Sequence, residues 1–142
     1  MSDVPAPPFT TKIAIVVRDD LAPWQRLNVT AFLSSGITAA HPQLVGLPYL
    51  DADDTSYLPL LGMPVLVFEA DREALRAMRT RAVRRALPVA LYTSDMFRTG
   101  HDEANRSAVR AVTGVDLDVV GLAVCGPKNA VDKTVKGAEL HP

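Results

Sequence analysis

Five consecutive apolar residues, Ile13 to Val17, constrain this chain more than any other stretch, and four of them are β-branched. Apolar residues without alternation fit a strand covered on both faces, as in an α/β sheet. Arg18, Asp19 and Asp20 end the strand. Ligands of open α/β sheets gather beyond the carboxyl ends of strands, so these charges sit where a site is expected. Pro23 suits the first turn of a helix. Val29, Phe32, Leu33, Gly36, Ile37 and Ala40 then recur at helical period and predict one apolar face. Ala31, Ser34, Ser35 and Thr38 on the other side are small. They permit close approach by the chain's own core, by a second copy or by a ligand.

The rest of the chain alternates in the same way. His41-Pro42 stops the helix. Pro48 to Pro59 reads as a hairpin at a sheet edge, with Asp51, Asp53 and Asp54 at a solvated tip. Those carboxylates lack the glycine and terminal glutamate of a calcium loop. Val65 to Phe68 is a second strand. Asp71 caps a helix to about Arg85, with Leu75, Met78 and Ala82 inward and six arginines around them. Pro88 to Tyr92 is a third strand, followed by a polar loop from Thr93 to Gly100. Asp102 or Thr99 is expected to cap a helix over Glu103 to Val112, with Ala108, Val109 and Val112 inward. Val119 to Cys125 is a fourth strand, Asn129 to Lys136 a short helix, and Glu139 to His141 an edge strand. Residues 1–11 carry prolines at 5, 7 and 8 and read as a flexible or extended arm rather than a signal peptide. The expected fold is therefore one α/β domain over 12–142. It has a mixed sheet of four strands plus an edge strand, and helices on both faces.

Composition narrows the function. A net charge of −1 provides no global basic field for nucleic acid. The lone Cys125 excludes an intrachain disulfide and points to a reducing cytoplasm. No apolar run approaches the roughly 20 residues that span a bilayer. There is no nucleophile elbow, Walker loop or dinucleotide fingerprint. His41, His101 and His141 have no metal-ligand spacing, so neither metal nor cofactor is expected. What is left is a two-loop constellation. After the first strand come Asp19, Asp20, Trp24, Gln25, Arg26 and Asn28; after the third come Asp95, Arg98 and Thr99. If both strands point the same way, the loops share one edge. Asp95 is then placed to orient a water or accept a proton, and Arg98 to hold a carboxylate or phosphate. Asn28 is placed to donate to an oxyanion, and Trp24 to stack on a ring. An Asp95–Arg98 pair that only stabilises its loop is the plain alternative.

These residues resemble the type-II peptidyl-tRNA hydrolase family. Arg18 and Asp20-Leu21 match its Arg-x-Asp-Leu, Asp95 to Thr99 resemble its Asp-x-Gly-Arg-Thr, and VGLAVCGPKNAVDKTVKG resembles its closing strand, turn and helix. The resemblance implies that family's fold, a homodimer, and catalytic roles at Asp95, Arg98 and Thr99. Its helix-start lysine and glutamine positions hold Leu27 and Ala31 here, and Phe97 replaces the loop glycine, so peptidyl-tRNA hydrolysis is not what the departures favour. Over its whole length the chain is similar to a bacterial family known as a domain of unknown function (DUF2000), through VVRDDL, the WQ-LN helix start, DEANR and VDK-KG. Three functions follow as expectations: a diverged hydrolase or acyl-transfer enzyme for a small ester or amide, a non-catalytic small-ligand or protein-binding module, and peptidyl-tRNA hydrolysis itself.

Overall fold

A computed structural model describes residues 10–142. Most of the arm expected over 1–11 thus lies outside the described residues, and Thr11 already belongs to the first strand.

The elements run β1 (Thr11–Arg18), α1 (Pro23–Ala40), β2 (Tyr49–Leu50), β3 (Ser56–Tyr57), β4 (Val65–Ala70), α2 (Arg72–Arg84), β5 (Val89–Thr93), α3 (Asp102–Arg110), β6 (Val119–Pro127), α4 (Lys128–Thr134) and β7 (Glu139–Leu140). Five strands form one mixed sheet in the order β5-β6-β1-β4-β7. β1 and β4 are parallel, with Ile13 beside Val65 and Arg18 beside Ala70. β6 runs antiparallel to both β1 and β5, so β1, β4 and β5 all point the same way. Their carboxyl ends share one edge with the amino end of β6. β2 and β3 pair only with each other. The hairpin therefore stands apart from the main sheet, not at its edge as its prolines suggested.

Both faces of the central strands are covered, which is why Ile13 to Val17 do not alternate. Ile13, Ile15 and Val17 pack with Val29, Leu33 and Ile37 of α1. Ala14 and Val16 pack on the other face with Leu75, Met78 and Ala82 of α2 and Val131 of α4. The inward stripe of α1 is narrower than its periodicity implied. Val29, Leu33 and Ile37 are buried, whereas Phe32, Gly36 and Ala40 are exposed. Among the described helices α1 is the one whose buried residues join that face's core, and grooves flank it on both sides.

One glycine allows this packing. A Cβ on Gly121 in β6 would come within 2.5 Å of Val29 Cγ1 and 3.1 Å of Leu33 Cδ1. α1 sits this low on the sheet because position 121 has no side chain. The α3 helix ends at Arg110, earlier than expected, and has no fully buried residue. Val109 is partly buried against the core, while Val112 falls beyond the helix and is exposed.

Candidate functional site

The shared edge gathers the polar groups singled out in the sequence, but α1 separates them into two sets. The first is an electrostatic tie. Arg18 donates through Nε to Asp20 at 2.6 Å and through Nη1 to Asp118 at 3.0 Å. Arg72, opening α2, reaches the same Asp118 oxygen at 3.1 Å. Burial pushes the Asp118 carboxyl up, but the Ser94 hydroxyl and the two guanidiniums outweigh it and hold the carboxyl below its usual range. Asp118 thus joins the end of β1 to the segments that follow β4 and β5. No motif marks it in the sequence, because its partners lie far away along the chain.

Arg26 is also consumed by structure. Its Nε donates to the Leu21 carbonyl at 3.0 Å, and Nη2 donates to the Asp19 carbonyl. Nη1 lies 3.0 Å from both Glu69 Oε2 and His141 Nε2. A guanidinium only donates, so His141 Nε2 accepts and its proton sits on Nδ1, which faces the Pro142 carbonyl. Gln25 accepts from the Ala22 N–H at 2.9 Å and caps the start of α1. Asp19 and Asp20 are exposed. Of the residues expected to bind ligand, Asp19, Asp20, Gln25 and Arg26 therefore serve the loop and the helix start.

The second set forms a cleft on the β5 side of α1. Trp24 and Asn28 come from the first turns of α1, Tyr92 from β5, and Phe97 and Thr99 from the loop beyond it. With Phe32, His101 and Asn105 they line a cavity of about 330 Å3. The aromatic rings form a chain: Trp24 meets Phe97 edge-on at 5.9 Å, Phe97 meets Tyr92 at 5.2 Å, and Tyr92 meets Phe32 at 5.8 Å. Burial pushes the Tyr92 phenol up and keeps it protonated. Past Phe32 and Met96 the cavity opens into a wider groove of about 820 Å3 between α1 and α3, where Ser35 forms part of the wall.

Three polar groups face this aromatic wall. Asn28 has no side-chain hydrogen bond among the described residues, although it is half-buried. Thr99 donates its hydroxyl to Asn105 Oδ1 and also contacts the Met96 carbonyl. His101, rather than Asp102 or Thr99, caps α3: its Nδ1 accepts from the Ala104 N–H at 3.2 Å. A ring nitrogen that accepts carries no proton, so the imidazole proton sits on Nε2 and is available to a guest. The sequence carries no local signal for His101 or Asn105 as site residues. The DEANR segment holds Asn105, but nothing local marks its pairing with Thr99.

Asp95 and Arg98 are not in this cleft. Arg98 Nη2 donates to Asp95 Oδ1 at 3.1 Å, with side chains 76% and 50% exposed. The plain alternative for this pair, a loop contact, is the geometry found. The α2 arginines are likewise dispersed: Arg81 caps α4 through the Thr134 and Lys136 carbonyls at 3.2 and 2.9 Å. Among the described residues, no group of three or more His, Cys, Asp or Glu side chains is placed to hold a metal ion. No described helix is long and apolar enough to cross a membrane.

No curated protein matches this chain. A solved structure of a protein of unknown function from Agrobacterium tumefaciens strain C58 is similar to it, with 46% identity and a TM-score of 0.93 over 95% of this chain and all of the other. The family described as "Protein of unknown function (DUF2000)" matches residues 11–142. With that match across the whole described fold, the chain belongs to the DUF2000 family.

Proposed function

We propose that this protein is a non-catalytic binding module for a small planar molecule, held in the Trp24–Asn28–Phe97–Thr99 cleft. The observation that carries this reading is a wall of four aromatic rings faced by the Asn28 amide, which makes no side-chain hydrogen bond among the described residues. A guest's polar edge pairs with that amide in place of water while its ring covers the aromatic wall. Aromatic walls with a few placed polar groups are the usual make-up of small-molecule sites. His101 Nε2–H supplies a donor, and Asn28 supplies both a donor and an acceptor. A neutral aryl amide or heteroaromatic amide matches that set.

A second reading keeps the cleft and adds chemistry: hydrolysis or acyl transfer on a small ester or amide. Thr99 and Asn28 share the cleft, which favours it. The weak point is the base, since Asp95 is paired with Arg98 and stands outside the cleft wall. The resemblance to type-II peptidyl-tRNA hydrolases belongs to this second reading. Arg18, Asp20, Asp95, Arg98 and Thr99 support it as an origin for the sheet and loops. The lost lysine and glutamine positions, Leu27 and Ala31, weaken it as an activity.

Trp24 is the chain's single tryptophan, so its fluorescence reports on this cleft directly. Titration with a panel of aryl amides and aryl esters, benzamide and nicotinamide among them, should give a saturable change that Asn28→Ala weakens. No response from any of them removes the binding reading. Product release from the amides or esters, abolished by Asp95→Asn, replaces it with the hydrolytic one.

A further inference from the structure

The segment between α1 and β4 is an arm: Leu44, Leu61 and Met63 at its base pack on the core, but its outer apolar side chains find no cover among the described residues. Val45 bridges Leu61, the Gly46 N–H donates to the Leu60 carbonyl at 2.8 Å, and Tyr49 and Leu50 pair with Tyr57 and Ser56. The register is continuous along the arm. Its tip is well made: Asp51 accepts from the Asp53 and Thr55 N–H groups and from the Tyr57 hydroxyl. Yet Leu47, Tyr49, Leu50, Tyr57, Leu58 and Leu60 are all more than half exposed. Tyr49 and Tyr57 stand opposite one another on one face, and Leu50 points to the other. A lone two-stranded hairpin is marginal in water, and this one is apolar on both faces. Spread over the two faces of the hairpin, the six residues expose on the order of 700 Å2.

The same chain carries a matching concavity. On the β4 side of α1, a groove of about 660 Å3 is lined mainly by Val17, Leu21, Pro23, Leu27, Val65 and Val67. Leu27 on its rim is 74% exposed. We propose that the hairpin of one copy fills the α1–β4 groove of a second copy, and the reverse, closing a two-fold dimer. A two-fold contact requires both halves on one chain, and both are present. The exposed apolar area of the hairpin also approaches the roughly 800 Å2 that each partner gives to a standard stable interface. The surface used is the hairpin and the groove, not the small-residue side of α1. It lies across α1 from the aromatic cleft, so this dimer stands or falls independently of the ligand reading.

Sedimentation of the full chain at about 50 μM tests it. The expected result is the mass of two chains. Leu58→Asp and Leu27→Asp should each weaken association by about tenfold or more with unchanged far-UV circular dichroism, since both side chains are exposed. If either aspartate variant loses its fold, Leu58→Ser and Leu27→Ser carry the same comparison. A monomeric wild type overturns the proposal, as does a dimer that the Leu58 variant leaves intact. A dimer sensitive at Leu58 but not at Leu27 overturns the groove and points to contact between hairpins.

Discussion

The guanidinium of Arg26 in α1 donates to the carboxylate of Glu69 in β4 at 3.0 Å, and neither group is more than a quarter exposed. The same guanidinium reaches the carbonyls of Asp19 and Leu21 and the His141 ring, so one side chain ties α1, β4, the loop after β1 and the segment after β7. Arg26→Ala strands the Glu69 charge and leaves two carbonyls without a donor. A loss of about 2–4 kcal/mol is expected in urea unfolding. Arg26→Lys should recover less than half of it, because an ammonium lacks the planar fork. A loss within experimental error in Arg26→Ala would show that the tie carries no stability.

Gly121→Ala should be destabilising although alanine is small. Its Cβ would enter the space of Val29 and Leu33 and approach the Val16 carbonyl at 3.3 Å. Overpacking of this kind costs about 1–3 kcal/mol. Pairing it with Val29→Ala, which vacates that space, should restore part of the loss. The two changes should therefore be less than additive in denaturant unfolding.

Asp118 sets an acid limit on stability. Its folded carboxyl titrates below the ordinary value of 3.8, so it adds stability at every pH above that value. The contribution falls as pH drops below 3.8 toward the lower folded value, where protonation releases Arg18 and Arg72. Asp118→Asn should lower stability at pH 7 and flatten its loss between about pH 4 and pH 2. Parallel acid profiles for wild type and variant would contradict this assignment.

Asp95→Asn should leave unfolding free energy within about 0.5 kcal/mol of wild type, because an exposed ion pair contributes little. It should also leave binding of an aryl amide at Trp24 unchanged. Asn28→Ala should weaken that binding by about tenfold, the worth of roughly one buried hydrogen bond. The reverse ranking would return Asp95 to the centre of the site.

Cys125 is buried in β6, and burial pushes its thiol above the ordinary range. Iodoacetamide at pH 8 should therefore label it only as fast as the chain opens. Modification at the rate of a free thiol in native buffer would show that β6 is not closed as described.

By itself the sequence determined the strand–helix order, because burial on both faces writes an unbroken apolar run at Ile13 to Val17, and a helix writes its period at Val29, Leu33 and Ile37. It also marked the polar loops after β1 and β5, but their meeting at one edge depended on strand direction, which the sheet supplies through the antiparallel β6 between them. Capping at Asp71 was legible because a cap is local: the Asp71 carboxylate meets Ala74 three residues on. Tertiary structure alone decided which side of α1 each polar residue serves. Arg26 lies between Trp24 and Asn28 in sequence, yet the helix turns it to the opposite flank. Asp118 and His141 acquire their roles from partners about a hundred residues away. The narrow inward face of α1 was likewise invisible in the sequence. Periodicity reports which residues share a side, whereas the width of the buried stripe depends on whether neighbouring helices close the flanks. Here they do not, and the two open flanks are the cleft and the groove.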